Sequence, residues 1–191
     1  MIRLEPGSHA GFPAALSYTR SRPPLGRLAL RITRWARARA VERYIAGRRA
    51  HLDVGCGDGY LLQRSKARQR VGIDRALGDE AEGRFELPDR SFDCVSMLAV
   101  IEHLQQPQAV LSEVHRVLMP DGILVLTTPR SLARFAIRLY TIGIDEDHAC
   151  YYDRADVERM TAGRFELIDG HDFLFGLNQA FCLRKRPVSG G

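Results

Sequence analysis

Apolar and polar positions follow two rhythms along this chain. Residues 25–46, LGRLALRITRWARARAVERYIA, repeat apolar residues at helical spacing. Leu25, Leu28, Ile32, Trp35 and Ala36 share one face, Val41, Tyr44 and Ile45 continue the stripe, and arginines fill the gaps. From residue 50 the rhythm shortens. AHLDVG (50–55) is an apolar run closed by glycines, which predicts a strand running into a tight loop. Tyr60–Ala67 predicts a helix, RVGID (70–74) a second strand and SFDCVSMLAV (91–100) a third. PQAVLSEVHRVLM (107–119) sets Val110, Leu111, Val114, Val117 and Leu118 at helical spacing. Pro120-Asp121-Gly122 is expected to stop that helix, and GILVLTTP (122–129) reads as a further buried strand.

This β-α-β-β-α-β alternation marks a parallel sheet covered by helices. The tail differs. FELIDG (165–170) and NQAFCLRKR (178–186) are strands joined only by residues 171–177, too short for a helical crossover. The last two strands should therefore be antiparallel neighbours. Residues 1–24 carry Pro6, Gly7, Gly11, Pro13, Pro23 and Pro24, and an irregular arm is expected. The organisation expected is a basic arm and helix over 1–35, a main domain over 36–186 and a frayed tail over 187–191.

Composition narrows the class. The chain has 191 residues, 45% hydrophobic and 27% charged, which suits one globular domain and argues against wholesale disorder. No run approaches the ~20 apolar residues of a membrane span, and the N-terminus has no apolar signal run, so a cytoplasmic protein is expected. Cys56, Cys94, Cys150 and Cys182 lie far apart, so neither a metal site nor a disulfide framework is expected.

Charge is uneven. Residues 1–50 hold eleven arginines and two acids, a net +9, while the remainder is net −4. Such an arm suits nucleic acid, anionic lipid or an acidic partner, but a solvated face is the plainer expectation. The Arg-rich helix is expected to pack on its own domain, with peripheral membrane contact left open.

The most informative segment is Leu52-Asp53-Val54-Gly55-Cys56-Gly57-Asp58-Gly59-Tyr60. Its glycines let the backbone turn sharply and approach a ligand closely. A dinucleotide fingerprint would need glycine where Tyr60 stands, and a phosphate loop would need G-K-[ST]. Asp53, at the strand end, would repel a pyrophosphate and favour an amino-bearing ligand. Asp74 ends the second strand, 21 residues after Asp53, where a carboxylate can accept both ribose hydroxyls of an adenosine.

LDVGCGDGY, VGID, LPDRSFDCV, IEHL, VLMPDGILVLTTP and the terminal strand pair together resemble class I S-adenosylmethionine-dependent methyltransferases, most closely the small-molecule branch that includes the ubiquinone and menaquinone enzymes. The resemblance covers residues 36–186. It implies a Rossmann-like α/β fold with a mostly parallel seven-stranded sheet whose last strand is antiparallel, and S-adenosylmethionine as cofactor. By resemblance, Gly55, Cys56, Gly57 and Gly59 pass under the cofactor, Asp53 faces its amino group, Asp74 takes the ribose hydroxyls, and Leu98 and Ala99 offer backbone to the methionine end.

Two departures stand out. Asp74 and Leu87 are only 13 residues apart, too few for a full helix and a strand, so the fold is expected to be shortened around the third strand, with GRFE (83–86) as a remnant. The family's adenine-contacting acid falls in this stretch, where Glu82 and Glu86 are the candidates. The second departure is Ala99, where related enzymes often carry a polar or acidic residue.

Methyl transfer from a sulfonium is an in-line displacement, and an oxygen or nitrogen acceptor can need a general base. His103, in I-E-H-L, and His148, in D-E-D-H-A-C-Y-Y-D beside Tyr151 and Tyr152, are the candidates, each with a packing role as the plainer alternative. Cys150 is a weaker candidate nucleophile. SLARFAIRLYTI (131–142) carries an apolar helical stripe that suits a lid, a lipid contact or ordinary core, and Arg130, Arg134 and Arg138 beside it suit an anionic acceptor or solvent. The expected function is methyl transfer to a small-molecule acceptor. The alternative is a non-catalytic S-adenosylmethionine-binding or regulatory protein. No nucleic-acid partner is expected, because LAVIEH (98–103) stands where an amino-group base methyltransferase would carry N-P-P-Y. An NAD-dependent oxidoreductase is disfavoured by Tyr60.

Overall fold

The computed structural model describes residues 1–4, 24–74, 83–130 and 151–187. In chain order the elements are β1 (Ile2–Leu4), α1 (Pro24–Ile45), β2 (Ala50–Val54), α2 (Tyr60–Arg64), β3 (Gln69–Ile73) and β4 (Phe92–Leu98). A short 3-10 turn (Ile101–His103) follows, then α3 (Pro107–Val117), β5 (Leu118–Pro129), α4 (Arg154–Thr161), β6 (Phe165–Phe173) and β7 (Asn178–Lys185). The strands form one sheet in the order β1-β3-β2-β4-β5-β7-β6. β3, β2, β4 and β5 are parallel, and β7 runs antiparallel between β5 and β6. The expected antiparallel tail is therefore present.

Both faces of the sheet are covered, as a parallel sheet requires. Ala38, Val41 and Ile45 of α1 and Leu61 of α2 pack on Cys94, Ile123, Val125, Ala180 and Cys182. Val110, Leu111 and Val114 of α3 and Val157 of α4 pack on the other face with Val95, Met97, Leu124, Leu126 and Leu183. Cys56, Cys94 and Cys182 are buried free thiols.

Several expectations need correction. Part of the expected irregular arm is a strand, because Ile2–Leu4 pairs antiparallel with β3 and closes that edge of the sheet. The helix expected over 60–67 stops at Arg64. Ser65 is extended, and its hydroxyl accepts the Ala67 N–H, a local bond that competes with the helix. Helix α3 ends at Val117, and Pro120-Asp121-Gly122 lies inside β5. Phe92 pairs with Leu118 but Cys94 with Ile123, so residues 119–122 bulge from the ladder.

No strand forms over residues 83–86. Glu113 of α3 accepts the Phe85 N–H at 2.9 Å, and Arg116 donates to the Phe85 and Leu87 carbonyls, each at 2.9 Å. Side chains of α3 thus satisfy the backbone groups that a strand would offer to a neighbour.

Candidate cofactor and active site

The glycine loop leaves β2 at the carboxyl edge, where the chain turns one way to β3 and later the other way to β4. Such a switch point opens a crevice for ligands. Gly55, Gly57 and Gly59 all take positive φ, at 73°, 52° and 70°. Gly55 and Cys56 both donate their N–H to the Ile73 carbonyl, at 2.8 and 3.2 Å. Gly57 donates to an Asp74 carboxylate oxygen at 2.8 Å. These three N–H groups tie the loop to the end of β3, so the loop's use to a ligand is close approach rather than donation. A side chain on Gly55 would come within 2.3 Å of Val100, whereas Gly57 faces open space.

Val100 belongs to the loop after β4, so the two loops pack together. Ala99, in that second loop, holds φ +56, a left-handed conformation rare for alanine, and its N–H donates to the Thr127 carbonyl at 2.9 Å. Leu98 and Ala99 therefore border the glycine loop. Glu86 does not. It is exposed between Phe85 and Leu87, which are bound to Arg116 near the end of α3, at the amino edge of the sheet. Glu82, His148, Cys150 and the 131–142 segment lie outside the described residues.

Asp53 is buried inside the sheet. One of its oxygens accepts from the Ser96 hydroxyl, and that hydroxyl lies 2.8 Å from Nε2 of buried His51. Burial pushes the Asp53 carboxyl up to about 7, Ser96 opposes the shift, and the Asp74 charge reinforces it. Burial lowers His51 to about 4, opposed by Asp93. Alternation along β2 and β4 puts His51, Asp53 and Ser96 on one face, a relation invisible until the strands pair.

A second polar group gathers further along the carboxyl edge. Glu102, in the 3-10 turn, is fully buried, and among the described residues neither carboxyl oxygen has a partner in hydrogen-bond geometry. Burial raises its pKa; the charges of Arg37 and His103 pull it back, as does the Thr128 hydroxyl, which lies near without forming a well-aligned bond. Among the described residues, the hydroxyls of Thr127 and Thr128 and the side-chain carbonyl of Asn178 are also buried without partners. Unpaired buried polar atoms are costly, and Glu102 and Thr128 lie together at the carboxyl edge, whereas Thr127 and Asn178 share the opposite face of the sheet. Sequence reading singled out His103 of I-E-H-L and passed over Glu102, although an acid in an otherwise apolar segment was the available signal. His103 itself is exposed. Near this group an open cavity of about 520 Å³ is lined by Arg130, Asp153, Arg154, His171, Asp172 and Gln179. Among the described residues, no group of His, Cys, Asp and Glu suits a metal ion.

A family model described as a methyltransferase domain matches residues 27–164. The chain belongs to the methyltransferase-domain family. A probable S-adenosylmethionine-dependent methyltransferase of Mycolicibacterium smegmatis is 34% identical over 98 residues, 42% of this chain and 38% of that protein. A ubiquinone biosynthesis O-methyltransferase of Psychrobacter cryohalolentis is 28% identical over 158 residues, 64% of this chain and 60% of that one. The chain thus spans about two fifths to three fifths of the length of these curated relatives. The fold matches the crystal structure of a Thermotoga maritima S-adenosylmethionine-dependent methyltransferase with a TM-score of 0.63 at 18% identity, over 90% of this chain and all of the other. Family and fold imply S-adenosylmethionine as the methyltransferase domain's cofactor. The residues fit it: the crevice has an open glycine floor at Gly57, and Asp74 is anchored at its rim.

Proposed function

We propose that this methyltransferase domain binds S-adenosylmethionine in the crevice between the glycine loop and Asp74 and methylates a small-molecule acceptor further along the carboxyl edge. The observation that carries this is the Gly57 N–H bond to the Asp74 carboxylate, beside an unobstructed glycine at the sheet's switch point. The cofactor supplies an electrophilic methyl group on a sulfonium, displaced in line by the acceptor. Asp74 takes the ribose hydroxyls. Gly55, Cys56, Gly57 and Gly59 form the floor, and Leu98 and Ala99 border the methionine end. Asp53 acts from inside the sheet, bracing the end of β2 behind the loop through its bond to Ser96. Glu102 and Thr128 hydrogen-bond the acceptor and hold it in line. His103, exposed beside Glu102, takes a proton from an oxygen or nitrogen acceptor; His148 is the second candidate.

A ubiquinone-type O-methyl acceptor is the narrower reading, supported by the Psychrobacter relative. Binding without turnover is the second reading, favoured by the missing strand over 83–86. Calorimetric titration with S-adenosylmethionine and with its demethylated product, using NAD as control, tests the cofactor assignment. Micromolar binding of both, lost in Asp74→Ala, is expected; equal binding by Asp74→Ala defeats the ribose assignment. An acceptor screen follows. Full turnover by both His103→Ala and His148→Ala on an accepted substrate would remove the proposed bases.

A further inference from the structure

Helix α1 has two halves with different surroundings. Its second half packs: Ala38, Val41 and Ile45 are 2%, 0% and 6% exposed. Its first half packs less: Ala29, Leu30 and Thr33 are half-buried, and the opposite face is open. Leu28, Ile32 and Trp35 are 52%, 46% and 53% exposed, against the expectation that they face the domain. Length and helix face together explain the division. A helix of 22 residues is about 33 Å long, whereas the eight-residue strand β7, on which it packs, spans roughly 26 Å. The chain descends α1 to reach the amino end of β2, so the unpacked turns project past the carboxyl edge.

The exposed residues are spaced i, i+4, i+7 and form one stripe, about 10 Å from Leu28 to Trp35. Arg27 and Arg31 flank it and Arg39 continues it, and no acid occurs between residues 24 and 41. A second large apolar side chain, Phe175, stands 98% exposed in the β6–β7 turn at the same edge of the sheet.

We infer that the first half of α1 is an interfacial helix that seats this edge of the domain on an anionic lipid surface. Leucine, isoleucine and an indole enter the headgroup boundary, and the arginines meet lipid phosphates. A second copy fits poorly. Pairing stripe to stripe would bring Arg27, Arg31 and Arg39 of both copies together, and like charges repel.

Trp35 is the chain's single tryptophan, so its fluorescence reports on this stripe alone. The test titrates the full chain with phosphatidylcholine vesicles, with and without phosphatidylglycerol, and measures emission and co-sedimentation. A blue shift, quenching by brominated lipid and co-sedimentation are expected with anionic vesicles, weakened by salt. Leu28→Asn with Ile32→Asn should weaken binding about tenfold or more, and Arg27→Glu with Arg31→Glu by at least as much. Circular dichroism should match the parent, since these side chains are exposed. Unshifted emission with anionic vesicles would overturn the inference. So would unchanged binding by the Leu28/Ile32 variant, or the emission of a buried indole before vesicles are added, which would mean that the stripe is already covered by the chain or a second copy.

Discussion

Two glycines in one loop make different demands. Gly55→Ala combines a positive φ with a 2.3 Å approach to Val100, so it should destabilise the fold by several kcal/mol and lower the urea midpoint sharply. Gly57→Ala meets open space and should cost only about 1 kcal/mol, yet its new methyl group occupies the floor of the crevice. Near-normal folding with cofactor affinity reduced at least about tenfold in calorimetry is expected. His51 and Asp53 make a second residue-scale prediction. Between pH 4 and 7 folded Asp53 keeps a proton that the unfolded chain has lost, so raising pH removes about 4 kcal/mol of stability. Between pH 4 and 6.5 folded His51 refuses a proton that the unfolded chain accepts, so raising pH adds about 3 kcal/mol. The two slopes nearly cancel below pH 6.5. Relative to the parent, Asp53→Asn should gain stability as pH rises through this window, and His51→Gln should lose it, both read from urea midpoints.

Among the elements, the segment leading into β4 shows how a fold replaces a missing strand. Arg116 bonds the Phe85 and Leu87 carbonyls and pairs with Glu113 and Asp89, while Ser91 and Arg90 donate backbone bonds to Val117 and Arg116. These bonds raise the Arg116 pKa and lower that of Glu113. Arg116→Ala would strand two carbonyls next to buried Phe85 and Leu87, so a loss of about 3 kcal/mol is expected in chemical denaturation. Arg116→Lys, which cannot fork between both carbonyls and the acids, should recover only part of it. Helix α1 ties the projecting edge to the glycine loop: Arg34 pairs with Asp58 and lies 4.4 Å from the centre of the Tyr60 ring.

Across the molecule, chemistry and projecting surface share the carboxyl edge of one sheet. The glycine loop, buried Glu102, the cavity, the Phe175 turn and the exposed part of α1 all lie there. A ligand held by two loops from different strands stabilises the folded chain by mass action. S-adenosylmethionine at about a hundred times its dissociation constant should add roughly 2.7 kcal/mol and raise the melting temperature by several degrees. Asp74→Ala should lose most of that rise, which differential scanning fluorimetry would show.

Local patterns alone determined the order of elements from β2 to β5, the glycine loop, Asp74 and the antiparallel tail, but not β1 or α4. Periodicity, turn residues and connection length are properties of neighbouring residues, and they act before the chain packs. The tertiary structure decided everything that depends on distant partners. Residues 83–86 bear strand-like residues, but Glu113 and Arg116 claim their backbone. Leu28 and Trp35 are as apolar as Val41, but only Val41 lies over the sheet. Asp53 carries the acid expected of its motif, yet Ser96 and His51, brought beside it by strand pairing, turn it inward. Glu102 is one acid among 23 until β5 and α1 close around it and bury its carboxyl. Burial is a property of the assembled sheet, and burial is what gives these side chains their chemistry.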